Sequence, residues 1–198
     1  MKMIIDSKKA KTKLPQVMRA AIHLFMKKGI DGTTIKEIAR EAGVAEGALY
    51  RHFKSKDDLA WHIFSAHLKQ FTDDLSAKVF IEESAEARIR TFVEESFTAY
   101  EKERDLFTFL ILREHGELKK YSTQYAHPGD VAIRIIQEGQ KIGEIRAGEP
   151  YILASLFVGG VIRTCVVKMY GDLHKNITTY APEVAGMIWA MLKSPNRA

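Results

Sequence analysis

The chain has 198 residues, enough for one large domain or two small ones, and its 46% hydrophobic and 28% charged content excludes intrinsic disorder. A lone cysteine, Cys165, excludes an intramolecular disulfide framework and makes a reducing cytoplasm the expected compartment. The net charge of +5 is unevenly spread: residues 1–60 hold thirteen Lys or Arg against seven Asp or Glu (+6), and the remaining 138 residues hold seventeen against eighteen (−1). Such segregation suits a polyanion-binding module joined to a neutral partner domain; charge alone fits a solvated basic face equally well.

Linkers, repeats and alternating β-branched runs are lacking, so the expected fold class is all-α. Lys8, Lys9, Lys11 and Lys13 precede an amphipathic stretch rather than a signal peptide's apolar run, and form either an arm lying along DNA or a solvated tail. The first helix spans 15–28, with Val17, Met18, Ala21, Ile22, Leu24 and Phe25 at helical spacing, Pro15 in its first turn and Gly29 as its stop. Thr34-Ile35-Lys36-Glu37 is a capping box and opens a short helix that stops at Ala42-Gly43-Val44; a second short helix follows from about Glu46 to Phe53. Ser55 caps the next helix, which Leu59, Ile63, Ala66, Leu68, Phe71 and Leu75 extend to about 79. Further helices are expected at about 84–102, 105–116, 129–142, 150–170 and 181–193.

Two short helices joined by a glycine-containing turn in a basic region match the helix-turn-helix plan. Ala39 is small where the helices cross, Gly43 permits the turn, and Val44 and Leu49 face inward, freeing the outer face of 46–53 for the major groove. A structural helical hairpin needs the same small residue and glycine, so the wider pattern matters more. Ala21…Leu24-Phe25…Gly29…Thr33-Thr34-Ile35…Glu37-Ile38-Ala39…Ala42-Gly43-Val44…Gly47…Leu49-Tyr50…His52-Phe53…Lys56…Leu59 strongly resembles the N-terminal signature of the tetracycline-repressor-like (TetR) family. The resemblance covers about residues 14–60 closely; beyond them only length and helical character agree.

The resemblance implies a three-helix DNA-binding domain at 1–56, with 1–13 as its arm, and a larger helical ligand-binding and dimerisation domain at 57–198. It implies phosphate contacts from Thr33, Thr34, Tyr50, His52 and Lys56, and an approach to base edges by Glu46, Gly47, Ala48 and Arg51. Glu46 departs from the family's usual serine or cation; it either accepts from a cytosine amine or favours its helix start. Phe53 is read as a core aromatic; Tyr50 is read as a phosphate contact, with a plain core aromatic as the alternative.

Helices 150–170 and 181–193, rich in apolar residues and carrying Gly159-Gly160, are expected to build a homodimer as an intersubunit four-helix bundle; they would otherwise complete a monomer core. Candidate contacts to a largely apolar small-molecule effector are Phe97, Tyr100, Phe109, Arg113, Tyr125 and Arg163. Arg113 and Arg163 lie in apolar stretches, where a buried guanidinium requires an anionic ligand or an internal salt bridge. The resemblance implies a transcriptional regulator, repression being the commoner family habit, that leaves a near-palindromic operator when the effector shifts the helix beginning near Lys56.

Neither catalysis, metal nor cofactor is expected: nucleophile elbow, Walker loop, dinucleotide fingerprint, H-E-x-x-H and clustered Cys/His spacing are all lacking. Nor is a membrane span, because the longest apolar run, 151–167, is interrupted by Arg163 and falls short of the roughly 18 residues needed.

Overall fold

The computed structural model describes residues 13–122 and 124–195, with side chains at 13–113 and 124–195. The arm residues Lys8, Lys9 and Lys11 lie outside the described residues. Among the described residues the regular elements are helical: α1 Leu14–Lys28, α2 Ile35–Ala42, α3 Glu46–Tyr50, α4 Lys56–Val79, α5 Ala85–Lys102, α6 Arg104–Ser122, α7 Pro128–Lys141, α8 Pro150–Met169, a 3-10 turn Ile177–Tyr180 and α9 Ala181–Leu192. An isolated antiparallel bridge joins Ile145 to Lys193. The fold is all-α, as the periodicity predicts.

Two elements differ from their predicted extents. α3 ends at Tyr50 rather than Phe53, because the His52 and Phe53 amides both turn back to the Leu49 carbonyl (2.9 and 2.8 Å) as Phe53 drops into the core. α6 runs through Gly116 to Ser122; an interior glycine costs only about 1 kcal/mol against alanine, and helix formers follow it. The 3-10 turn escapes periodicity because it is short; Asn176 caps it by accepting from the Thr178 amide at 3.0 Å.

The described residues form two compact units that divide between His67 and Leu68, within α4. The sequence reading ends the first domain at 56, where α4 begins. Leu59, Ala60 and Ile63, all fully buried, lie in the first unit, so the opening turns of α4 belong with the helices before them.

In the first unit α1 packs on α2, and α2 on α3. The buried stripe is Val17, Ala20, Ala21, Leu24 and Phe25 on α1, Ile35, Ile38, Ala39 and Ala42 on α2, and Leu49 on α3. In the second unit α5 is central, packing on α6, α7, α8, α9 and the 3-10 turn. Its core brings together Ile89, Phe92, Phe97 and Tyr100 of α5 with Ile135, Phe157, Ile188 and Leu192; the Phe92 and Phe157 rings lie 4.7 Å apart. Gly139 allows α7 to approach closely: a Cβ there would stand 2.6 Å from Ile145 Cδ1 and 3.1 Å from Ala85 Cβ. Glu144 caps α5, accepting from the Ala85 amide at 2.7 Å.

α8 is longer than the apolar run read from the sequence, so the length argument against a span does not hold. It has 20 residues, and its most apolar stretch has a mean hydropathy of 1.8, so by length and composition it is sufficient to cross a bilayer. The helix extends past both ends of the apolar run, and one arginine does not offset so many aliphatic residues. Within the second unit one face of it is core (Ala154, Phe157, Val161 and Cys165), while Ile152, Leu156, Gly159 and Gly160 are exposed.

Candidate nucleic-acid interface

The surface is set by how α2 starts and stops. At its start the Thr34 hydroxyl accepts from the Glu37 amide (3.2 Å) and donates to Glu37 Oε2 (2.8 Å), while the Thr34 amide donates to the same carboxylate oxygen (2.9 Å). This is the reciprocal cap that the sequence predicts. Lys28 Nζ of α1 reaches Glu37 Oε1 at 2.5 Å, tying the cap to α1. The Lys28 ammonium first, and the Thr34 bonds after it, lower the Glu37 carboxyl to about 2, so it is ionised at every physiological pH.

At its end Gly43 takes a left-handed conformation (φ 65°); its amide donates to the Arg40 carbonyl (3.2 Å), and the Val44 amide to that of Ala39 (2.9 Å). Both bonds of a Schellman stop are present, so the chain reverses within two residues and α3 leaves at a fixed angle. Leu49 is buried beneath α3, while Glu46, Gly47, Tyr50 and Arg51 are exposed and Ala48 is half-buried. Positions i, i+1, i+4 and i+5 share one side of a helix, so α3 presents a continuous outward face with Leu49 as its anchor.

The flanking groups are exposed or half-buried, with one exception. Thr34 and His52 are exposed, and Tyr50 is 55% exposed although it is a large aromatic. Lys56 Nζ donates to the Asp31 carbonyl at 2.8 Å, holding the start of α4 beside the α1–α2 turn; an ammonium has further donors for a phosphate. Thr33 is the exception. It is only 1% exposed, its hydroxyl donates to the Gly29 carbonyl at 2.7 Å, and its amide donates to that of Ile30 at 3.0 Å. With both donors spent on the chain, Thr33 fixes the turn that carries Thr34 and is withdrawn from the phosphate set.

Gly47 carries independent information. Its φ is not positive, and a Cβ built there would meet nothing within 4 Å. Nothing in the free chain therefore requires glycine at this exposed position. Sequence reasoning missed a neighbouring feature, an open groove of about 560 Å³ lined by Lys13, by Gln16, Arg19 and His23 of α1, and by Glu41 and Gly43. Lys13 Nζ donates to the Gly43 carbonyl (3.2 Å), and His23 Nδ1 lies 2.6 Å from Glu41 Oε1. The i, i+3, i+7 spacing of residues 16, 19 and 23 is the signal that could have found it.

The candidate effector residues are less unified. Phe97 and Tyr100 are fully buried in the second unit's core, and Phe109 is buried on α6. Arg113 is half-buried on α6, and Tyr125 is 39% exposed after it. Arg163 corrects the expectation of a buried guanidinium: within the single chain it is exposed on α8, on the side shared by Ile152, Leu156, Gly159 and Gly160, so burial within the chain demands no internal partner for it. Cys165 is fully buried, and burial pushes its thiol up to about 12.

Comparison with known proteins agrees with this geometry. Residues 17–63 match the model of the bacterial regulatory proteins of the tetR family. The fatty acid metabolism regulator protein of Bacillus subtilis is 26% identical over 159 residues, 78% of this chain and 82% of that one. The fold is shared with a solved structure of FadR from Bacillus subtilis in complex with stearoyl-CoA (TM-score 0.75, 19% identity, 90% of this chain and 98% of that one). It is shared too with AibR in complex with isovaleryl coenzyme A and operator DNA (TM-score 0.73, 19% identity, 92% and 98%). A capped α2, a Schellman turn and an outward-facing α3 lie within residues 17–63, the segment that the tetR family model matches, so the first unit carries a helix-turn-helix of that family's kind.

Proposed function

We propose that the protein is a cytoplasmic homodimeric repressor that holds a near-palindromic operator and releases it when an acyl-coenzyme A binds the second unit. The observation that carries the DNA half is Gly47: an exposed glycine with open space around it, on the one short helix whose opposite side is anchored by buried Leu49. In this reading Glu46, Gly47, Ala48 and Arg51 meet base edges, and Thr34, Tyr50, His52 and Lys56 hold phosphates.

Dimerisation is supported by the exposed apolar faces of α8 (Ile152, Leu156) and α9 (Met187), and by Gly159 and Gly186, where an added Cβ would meet nothing within 4 Å. Small residues in open space on adjoining apolar helices fit close approach by the same helices of a second copy. Gly159→Leu is expected to yield monomers by light scattering.

The effector class is supported by the relatives: FadR was solved with stearoyl-CoA and AibR with isovaleryl coenzyme A. Phe97, Tyr100, Phe109, Arg113 and Tyr125 are the proposed ligand contacts. α4 is continuous through the division between the units and is the covalent route for coupling. An effector can act through it only by binding the released state more tightly than the DNA-bound one.

The test is selection of the purified full chain on a pool of random duplexes at physiological salt. Recovery of a two-fold site supports the reading. Binding that is weak, salt-sensitive and indifferent to sequence overturns it.

A further inference from the structure

Tyr100 stands near the C-terminal end of α5 and is 0% exposed. Its ring meets Phe107 of α6 edge-on (centroids 6.0 Å apart, planes at 82°), and Phe107 in turn meets Phe71 edge-on at 5.5 Å. The Arg104 guanidinium lies 5.7 Å from the Tyr100 ring centre. Among the described protein groups none hydrogen-bonds the Tyr100 hydroxyl.

Two other buried hydroxyls of the second unit behave differently. Thr72 donates to the Leu68 carbonyl and Ser96 to that of Phe92, each at 2.8 Å and each within its own helix. A tyrosine ring carries its oxygen too far from its own backbone for that solution. Burying an unbonded hydroxyl opposes folding, and phenylalanine would fill the same ring volume without that penalty. Among the described residues the oxygen has no partner, and it is free to take one from outside them.

The surroundings define that partner's chemistry. Phe71 of α4 and Phe107 and Ile111 of α6 are only partly buried against the core, and Leu112 is 61% exposed, so apolar side chains continue from the Phe107 ring beside Tyr100 to the surface. Burial raises the Tyr100 pKa, which keeps the hydroxyl a proton donor at neutral pH. A molecule suited to this place has an apolar chain for those apolar side chains and a neutral acceptor for the donor.

We propose that Tyr100 is the polar anchor of the effector site, its hydroxyl donating to the carbonyl of a thioester whose acyl chain lies against Phe71, Phe107 and Ile111. The assignment rests on the acyl-coenzyme A reading and adds the group that distinguishes a thioester from any other apolar chain on coenzyme A.

The experiment uses the full-length chain and Tyr100→Phe, each titrated with stearoyl-CoA and with the S-octadecyl thioether of coenzyme A, which has the chain but no carbonyl. Wild type is expected to prefer the thioester about tenfold, the value of one good buried hydrogen bond. Tyr100→Phe is expected to bind both ligands alike, at the thioether's affinity, and to melt no lower than wild type when unliganded. A wild-type-sized preference in Tyr100→Phe overturns the assignment and leaves the effector class intact. A melting temperature several degrees below wild type also overturns it, because the hydroxyl then has a partner inside the chain. Wild type that binds neither ligand removes the acyl-coenzyme A reading, and the assignment with it.

Discussion

Replacing Gly47 with alanine should move stability and DNA affinity in opposite directions. In the free chain a Cβ at 47 meets nothing within 4 Å and the backbone is not left-handed, so alanine enters without strain. Alanine is favoured over glycine in a helix interior by about 0.8–1.0 kcal/mol, and in the first turn of a five-residue helix about half of that is expected. The unfolding midpoint should rise by about 1–2 °C. At the operator the same methyl stands where the account brings the backbone against base edges. Pushing α3 back weakens contacts worth about 1–3 kcal/mol per base pair, a loss of about tenfold to a hundredfold in affinity. Urea unfolding and anisotropy titration of a selected duplex at several salt concentrations separate the two effects. The salt dependence should stay that of wild type, since no phosphate contact is removed. Wild-type affinity in Gly47→Ala would refute the reasoning, as would a loss of stability, because either places the need for glycine elsewhere.

Thr34→Ala removes a hydroxyl that both accepts from and donates to Glu37, and should cost about 1 kcal/mol in urea unfolding, whereas Thr34→Ser should restore most of it. Gly139→Ala puts a methyl 2.6 Å from Ile145 Cδ1 and 3.1 Å from Ala85 Cβ; calorimetry should show a loss of about 1–3 kcal/mol, partly recovered when Ile145 is shortened to Val. His62 supplies a pH dependence: burial holds its imidazole below the ordinary 6.5 against the opposing pull of Asp58, and Phe53 packs on it at 5.5 Å. Its folded pKa lies below its unfolded one, so its contribution is complete above about 6.5 and is lost as pH falls from there towards the folded value. The drop in urea midpoint between neutral and mildly acidic pH should therefore be smaller in His62→Leu than in wild type, and an equal drop would contradict the assignment.

What was legible in the sequence was local chemistry. The capping box of Thr34 and Glu37, the glycine stop at Gly43 and the Ser55 cap of α4 each depend on groups within a few residues, and the structure forms all three. The outward face of α3 followed because a single apolar residue, Leu49, decides which side turns in. What was hidden depended on distant partners. Thr33 reads like Thr34 until the Gly29 carbonyl at the end of α1 claims its hydroxyl. Arg163 sits in an apolar run that resembles a core helix, yet half of α8 faces outward and takes the arginine with it. Among the aromatics of the second unit, periodicity ranked Phe97 and Tyr100 alike; only the packing leaves Tyr100 with an unmatched hydroxyl.

The central claim is that DNA binding at the first unit and acyl-coenzyme A binding at the second oppose each other. Its most direct test is anisotropy titration of the selected operator with the purified protein at fixed salt, with and without saturating stearoyl-CoA. The account predicts at least a tenfold loss of operator affinity with the ligand. Equal affinity in the two titrations, with stearoyl-CoA shown to be bound, would contradict it.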